Sequence, residues 1–365
     1  MSFEPIQTRV KLSFMATGSG AFESLIPDML SFTYEDKETN EADEISFTLK
    51  DPTGKWAQSL TPYAGAAVGA SIVMGTVSTN IRNIYCGKFY VDSMRVAGNP
   101  RTFEMRAVSI PLNQPIRRKL KSRAWEKKNL KGIATQIAKE AKVKLIFDSQ
   151  VNPTFDRQDQ KRESDLQFLS RLCEEAGLSI KMTDEQLVIF DQAMYEKKKP
   201  VKTLTLGVSD ILSWDFETNQ SETYKSCTVT YRDPKIKSAT SAGGFYLTDE
   251  EKEALKKEAN QAVLTYTYVD PLVEENGQEY AIKKRAKSVA EAERLAKAQL
   301  RKLNARRITG SMTVVGDVSL LAGVVIAIKG FGSFDGAFII ETASHSVTTG
   351  GYTTSISLRR VNQNY

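Results

Sequence analysis

The hydrophobic period of this chain changes twice along its length, and that limits the folds open to it. From residue 1 to about 110 the pattern runs in twos. Ile45, Phe47 and Leu49 alternate with Ser46, Thr48 and Lys50, the signature of a strand with one buried face. Asp51-Pro-Thr-Gly54 reads as a turn. Ala67–Met74 is a further strand, and Gly87–Asp92 pairs with Thr102–Ala107 across a Gly98-Asn-Pro100 turn. Many short strands with almost no helical period predict a small antiparallel barrel or sandwich.

The period then lengthens. Leu130, Ile133, Ala134, Ile137, Ala138 and Ala141 share one helical face. Val143–Phe147 is a short strand. Ser164 with Gln167 forms a capping box ahead of the stripe Leu166, Leu169, Cys173 and Ala176, and Gly177 ends that helix. Two strands around Thr183-Asp-Glu185 close an α/β unit near Asp191. From about residue 200 strands return, at Val201–Leu206, Asp210–Glu217 and Tyr224–Tyr231. Two helices interrupt them, opened by Thr248 with Glu251 (body Glu250–Ala259) and by Ser288 with Glu291. In the second, Val289, Ala292, Ala296, Leu300 and Leu303 share one face. From Gly310 onward glycines separate apolar runs, and Tyr352–Leu358 alternates to the end. The order predicts a β-rich α+β protein. Residues 1–112 form a first barrel domain, 113–200 an inserted α/β domain, and 201–365 a second barrel domain with helical insertions at about 248–304. The two β segments share no obvious sequence repeat.

Composition removes most chemistry. At 365 residues, 41% apolar and 26% charged, the chain is neither disordered nor collagen-like. The apolar run Val324–Ile328 stops at Lys329, far short of the ~18–20 residues a membrane span needs, so no membrane anchor is expected. Met1–Pro5 carries an acid and a proline where an export signal needs basic and apolar residues, which predicts folding in a cytoplasm. Cys86, Cys173 and Cys227 form no CxxC pair, and the single histidine, His345, excludes HExxH and multi-histidine metal sites. No GxSxG elbow, phosphate loop or EF-hand spacing occurs. The 44 acids mark no particular pair. No catalytic residue, cofactor or metal is therefore expected. His345 reads as a structural hydrogen-bonding residue, Cys173 as a small core residue, and Trp214, alternating in an apolar strand, as core.

Charge is local. The chain carries +6, but Arg117–Lys131 alone holds eight basic residues and one acid. It reads as a solvated linker face or as a patch for an acidic partner, with Arg117, Arg118, Lys119, Lys121 and Arg123 as candidate contacts. One tryptophan there is no stacking platform, so specific nucleic-acid recognition is not expected.

The run Arg162-Glu-Ser-Asp-Leu-Gln-Phe-Leu-Ser-Arg-Leu-Cys-Glu-Glu-Ala-Gly-Leu178 resembles the ESDxxFLxRLxxxxG helix of phage late control D proteins, the baseplate hubs of contractile tails. The matching positions are Asp165, Phe168, Leu169, Arg171, Leu172 and Gly177. A second match runs through Gly316, Asp317, Gly323, the Lys329–Gly336 turn, His345, Gly351 and Tyr352, and resembles that family's closing barrel. Asp210–Trp214 and Thr228–Asp233 resemble its preceding strands.

The resemblance implies two tail-tube-like antiparallel β-barrel domains around a small inserted α/β domain. It implies a homotrimer with pseudo-sixfold symmetry that joins a hexameric tail tube to a trimeric spike. The implied partners are the chain itself, a central spike protein, a tail tube or tube-initiator protein and baseplate wedge proteins, with the tape-measure protein a further candidate. The implied location is a virion or tail-like particle, assembled in the bacterial host cytoplasm. No spike repeat or lysozyme unit follows the last strand before Tyr365, so the spike is expected to be another polypeptide. A phage, a tail-like bacteriocin and a secretion-type injection device would all use such a part. Two other readings stay open. A tail-tip peptidoglycan hydrolase would depend on one acid or on His345, and a carbohydrate-binding adhesin would expose aromatics on one barrel face.

Overall fold

Alternation in the first segment becomes six strands. The computed structural model describes residues 7–14, 27–39, 41–60, 65–75, 80–110, 115–183, 186–219, 223–232, 263–273, 277–286 and 288–361. The first module holds β1 (Gln7–Phe14), β2 (Met29–Lys37), β3 (Glu44–Lys50), α1 (Lys55–Leu60), β4 (Ala67–Gly75), β5 (Asn80–Ala97) and β6 (Thr102–Val108). Its core is built from the inward residues of these strands, Phe32, Phe47, Phe89, Phe103 and Met105 among them. The short helix α1 has no counterpart in the sequence reading. Asp51 creates it by accepting from the backbone N–H groups of Trp56 and Ala57 (2.9 and 3.2 Å), which drops Trp56 into the core.

The insert contains α2 (Pro115–Arg118), β7 (Lys121–Asn129), α3 (Leu130–Ala141), β8 (Lys144–Asp148), β9 (Thr154–Glu163), α4 (Asp165–Ala176), β10 (Ser179–Met182), β11 (Gln186–Phe190) and α5 (Gln192–Glu196). Strands β10, β11 and β8 make one small sheet, with β8 parallel to β11, and β7 pairs with β9. The α4 capping box is reciprocal: Ser164 N–H donates to the Gln167 side chain (3.0 Å) and Gln167 N–H to Ser164 Oγ (3.2 Å). Gly177 follows at φ +73°, and Leu178 N–H closes the helix on Cys173 O. The basic run is not a linker face. Most of it is the paired strand β7.

The second β module holds β12 (Lys202–Thr205) and β13 (Ile211–Thr218), then resumes after an excursion. The excursion contains β14 (Tyr224–Arg232), β15 (Val263–Val269), β16 (Gln278–Ala286) and α6 (Val289–Asn304). The module continues with β17 (Ile308–Val315), β18 (Val325–Lys329), β19 (Gly336–Thr348) and β20 (Gly351–Arg360). The expected helix at 250–259, with its Thr248/Glu251 cap, lies outside the described residues.

By compactness the chain forms two units, one holding both β modules and the insert, the other built on residues 218–307. In the second unit β14 pairs antiparallel with β15 and parallel with β16. Its core contains Ala292, Leu295, Ala296 and Leu300 of α6 with Cys227, Val229 and Ala286. Burial pushes the Cys227 thiol up to about 11.

The two modules share one 12-stranded sheet, ordered β1-β4-β5-β6-β3-β2-β19-β20-β17-β13, with β18 on β19 and β12 on β18. Numbering each module's strands separately exposes a repeat. Both follow the path first, fourth, fifth, sixth, third, second. Both carry a register shift at the same place on the fifth strand, Val91/Ser93 in one and Ile340/Thr342 in the other. They differ at the first strand, because β1–β4 is antiparallel and β12–β18 is parallel.

Candidate assembly site

The modules meet where β2 pairs antiparallel with the second half of β19, Ser31–Lys37 against Thr342–Thr348. This seam gathers one group of motif residues. His345 stands opposite Tyr34, and their rings stack at 5.9 Å. His345 Nδ1 lies 2.8 Å from Tyr352 Oη and 3.3 Å from Thr354 Oγ1. The imidazole is fully buried, and burial holds its pKa below the usual histidine value against weaker opposition from the Leu320 carbonyl, Asp36 and Asp317. Burial likewise raises the Tyr34 and Tyr352 phenols, and it pushes the Cys86 thiol up to about 12.

Gly316 is required by the same ring. A Cβ there would fall 2.0 Å from Tyr352 Cδ1, while Gly316 N–H donates to Tyr352 O (2.8 Å). Asp317 N–H donates to Thr354 Oγ1 (3.0 Å). Its carboxylate accepts from Ser319 N–H and Oγ and pairs with Lys202. Burial raises the Asp317 pKa, but the Lys202 and Ser319 hydrogen bonds outweigh it and lower the net value. Gly323, at φ +81°, donates to Ile340 O. Gly336 and Gly351 lie outside this cluster. The first starts β19 beside Arg360, and the second opens β20 at φ +129°.

Two buried ion networks lie beside the seam. Lys181 of β10 reaches Asp36 (2.9 Å) and Asp43 (3.1 Å) of the first module, and Asp36 also accepts from Ala322 N–H of the second (2.9 Å). Arg359 of β20 meets Glu38 (3.5 Å), Glu196 of α5 (2.5 Å) and Glu341 (3.4 Å). Glu38 accepts a further bond from Gln192 (2.8 Å). Each network joins both modules to the insert. Burial raises Glu38 and Asp43, with Arg359 and Lys181 respectively opposing. The sequence reading singled out none of these residues except Asp43, which with Glu44 reads as an exposed turn but is buried against Lys181. One signal was available, since Asp36 falls on the face of β2 that buries Phe32 and Tyr34.

The other motif group sits on α4, within the insert. Asp165 is buried and binds Lys121 (2.5 Å), Arg123 (2.7 Å) and Gln160 (2.9 Å). Glu140 takes the other side of both cations, and despite burial their hydrogen bonds bring it down to about 2. Phe168 stacks on Trp125 at 6.1 Å, Leu169 and Leu172 are fully buried, and Arg171 bridges to Glu163 (2.8 Å). Thus Lys121 and Arg123 of the candidate contacts already hold acidic partners inside the fold, whereas Arg118 and Lys119 are exposed and Arg117 half-buried.

Trp214 corrects a second expectation. It is not core: half its surface is exposed on β13, the terminal strand of the sheet, with Leu212 exposed beside it. Trp214 meets Phe331 edge-on at 5.1 Å, and Phe331 in turn meets Phe216, which packs on the second module's core. Alternation put Trp214 on an inward face, but no described strand lies beyond it to complete that face.

Polar groups in this fold are spent on joining modules. Among the described residues no cluster of three or more histidine, cysteine, aspartate or glutamate side chains is arranged to hold a metal, and no helix is long and apolar enough to cross a membrane. Repeated β modules fused edge to edge, with an α/β insert bonded to the junction, define a protein of the phage-tail type. The chain belongs to the phage tail baseplate hub family, whose model matches residues 91–351, and its role is that of a baseplate hub. It is 24% identical over 348 residues to a probable baseplate hub protein of Escherichia phage 186, covering 90% of this chain and 87% of that one. Its fold is similar to that of a 43 kDa tail protein from prophage MuSo2 of Shewanella oneidensis (TM-score 0.68, 12% identity, 97% and 98% of the two chains). It is also similar to a tail protein from Neisseria meningitidis MC58 (0.64, 14%, 96% and 96%). An E. coli component of the type VI secretion system, described as structurally similar to the T4 tail proteins gp27 and gp5, matches at 0.56 and 13%, over 97% and 78%.

Proposed function

We propose that this chain is the non-enzymatic hub of a contractile tail or related injection particle, working as a homotrimer that joins a hexameric tail tube to a trimeric spike. The observation that carries this is the repeated strand path. Three copies, each supplying two modules of like topology in one sheet, present six similar surfaces to a sixfold partner while keeping a threefold axis for the other. In this reading residues 1–112 and 201–365 are the two tube-like domains and 113–200 the insert. The unit on residues 218–307 is left to meet spike or wedge proteins. Arg117, Arg118 and Lys119 face acidic surfaces of a neighbouring subunit. The particle assembles in the host cytoplasm.

Electron microscopy of the purified chain, with its mass in solution, tests the proposal. A threefold ring with six lobes is expected, and a stable assembly of any other symmetry overturns it. On a peptidoglycan gel the protein should clear nothing. Clearing that is lost on changing one acid or His345 would favour the hydrolase reading instead.

A further inference from the structure

We propose that the open edge of β13 pairs antiparallel with Ser93–Ala97 of β5 in a second copy of this chain, with Phe216 opposite Val96 and Glu217 opposite Arg95. The inference rests on the trimeric reading and specifies the contact that builds it.

The argument starts from cross-strand rows. In the first module Met94, Met105, Phe47 and Phe32 lie directly opposite one another across β5, β6, β3 and β2. A neighbouring row holds Val91, Ala107, Ile45 and Tyr34. In the second module Ala343, Ile356 and Met312 form the first row, and Ile340, Leu358 and Gly310 the second. Gly310 lies against the Phe216 ring, which extends the second row to Phe216 and the first to Trp214. The shared register shift fixes the alignment independently, since Asp92 and Glu341 are the extra residues. Tyr34 therefore corresponds to Phe216, Phe32 to Trp214, and His345 to Val96.

Inside one chain the edge of β2 is covered by β19, with Tyr34 opposite His345 and Glu35 opposite Ser344. The equivalent pair of edges is β13 and the end of β5, and among the described residues neither has a strand against it. Strand β4 leaves β5 at Tyr90. Burial records the difference. Phe32 and Tyr34 are 0% and 5% exposed, whereas Trp214 and Val96 are 50% and 49% exposed. Repeating the within-chain seam between chains covers Trp214 and sets Phe216 on Val96. It also places Glu217 across from Arg95, whose side chain is 76% exposed and approaches Glu104 no closer than 4.0 Å. The match is between unlike edges, head to tail, so it propagates from copy to copy, and in the trimeric reading a threefold rotation closes it as a ring. An unpaired edge carrying large apolar residues is an aggregation hazard for a lone chain, and ring closure removes it.

Directly opposed residues in an antiparallel pair stand about 4.5–5.5 Å apart at Cα, within disulfide reach. The proposed register puts Ala97 opposite Asp215. The full chain carrying A97C and D215C, mildly oxidised, should give covalent oligomers ending at a closed trimer, while A97C with S213C should not. Glu217→Arg should weaken association by roughly fivefold, and adding Arg95→Glu should restore it. A preparation that is trimeric by light scattering yet cross-links in neither pairing, or only in the displaced one, overturns the seam and leaves the trimer standing. A chain that stays monomeric and uncrosslinked at every concentration overturns both.

Discussion

Equivalent positions in the two β modules carry different residues and meet different fates. Phe32 and Trp214 occupy the same place on the second strand of each module, yet one is sealed and the other half open. Val108 and Arg359 occupy the same place on the sixth strand, opposite Glu44 and Thr309 respectively. The first is an apolar neighbour to the core and the second anchors a cluster of carboxylates. Strand order is thus shared, while burial depends on what covers each edge. The first module is completed within its own chain by β19 and the insert. The second ends at β13, whose outer edge has no strand against it among the described residues.

The strongest way to break this comparison is to make the second module like the first at Arg359. Arg359→Val removes the guanidinium that Glu38, Glu196 and Glu341 share and puts an apolar side chain in its place. Removing one partner of a buried pair costs about 3–5 kcal/mol, because the remaining charge has lost water without gaining a partner. Urea unfolding should register that loss. A loss under about 1 kcal/mol would mean the cluster is hydrated and does not hold the insert to the modules.

The aromatic pair sharpens the contrast. Phe32→Ala should cost the isolated chain about 3–5 kcal/mol, since it empties a fully enclosed site. Trp214→Ala should cost the isolated chain about 1 kcal/mol, half its ring being already in water, but should abolish ring formation in light scattering. Equal losses in both isolated variants would show that the β13 edge is closed by the chain itself. Gly316→Ala comes next, at about 1–3 kcal/mol, because its methyl must displace the Tyr352 ring from His345. The matching position in the first module is Asp51, which caps α1 instead.

Much of the fold was legible where local rules decide it. The alternation at Ile45, Phe47 and Leu49 became β3, and the Ser164/Gln167 box and Gly177 bound α4. Strands β7 and β9 were not legible, because their charged residues do not alternate with apolar ones. They are held by pairing and by Asp165 and Glu140. The junction networks were hidden for another reason. Arg359 and Glu38 are 321 residues apart, and nothing near either one signals burial. The order of elements suggested two related β domains, but no residue repeat marked them, because strand order, not residue identity, is what the modules share.

The smallest expected effect separates the two seams by pH. Unfolded, His345 titrates near 6.5, whereas in the native seam burial lowers its pKa. Between those values the unfolded chain holds a proton that the native chain refuses, so stability falls as pH drops below about 6.5 and levels off once the native imidazole is charged. One such group contributes a slope of at most about 1.4 kcal/mol per pH unit. Glu38 and Asp43 act with the opposite sign, because burial raises their native values and the folded state takes those protons first. Subtracting the His345→Gln profile from that of the parent chain isolates the histidine. The difference should rise with pH through the region just below 6.5 and stay flat above it. The matching position on β5 is Val96, so the proposed seam between copies has no histidine in that row. Association measured over the same range should therefore respond equally in parent and His345→Gln chains. A His345-dependent change in association, with no change in chain stability, would place the histidine at the wrong seam and dissolve the equivalence between β19 and β5.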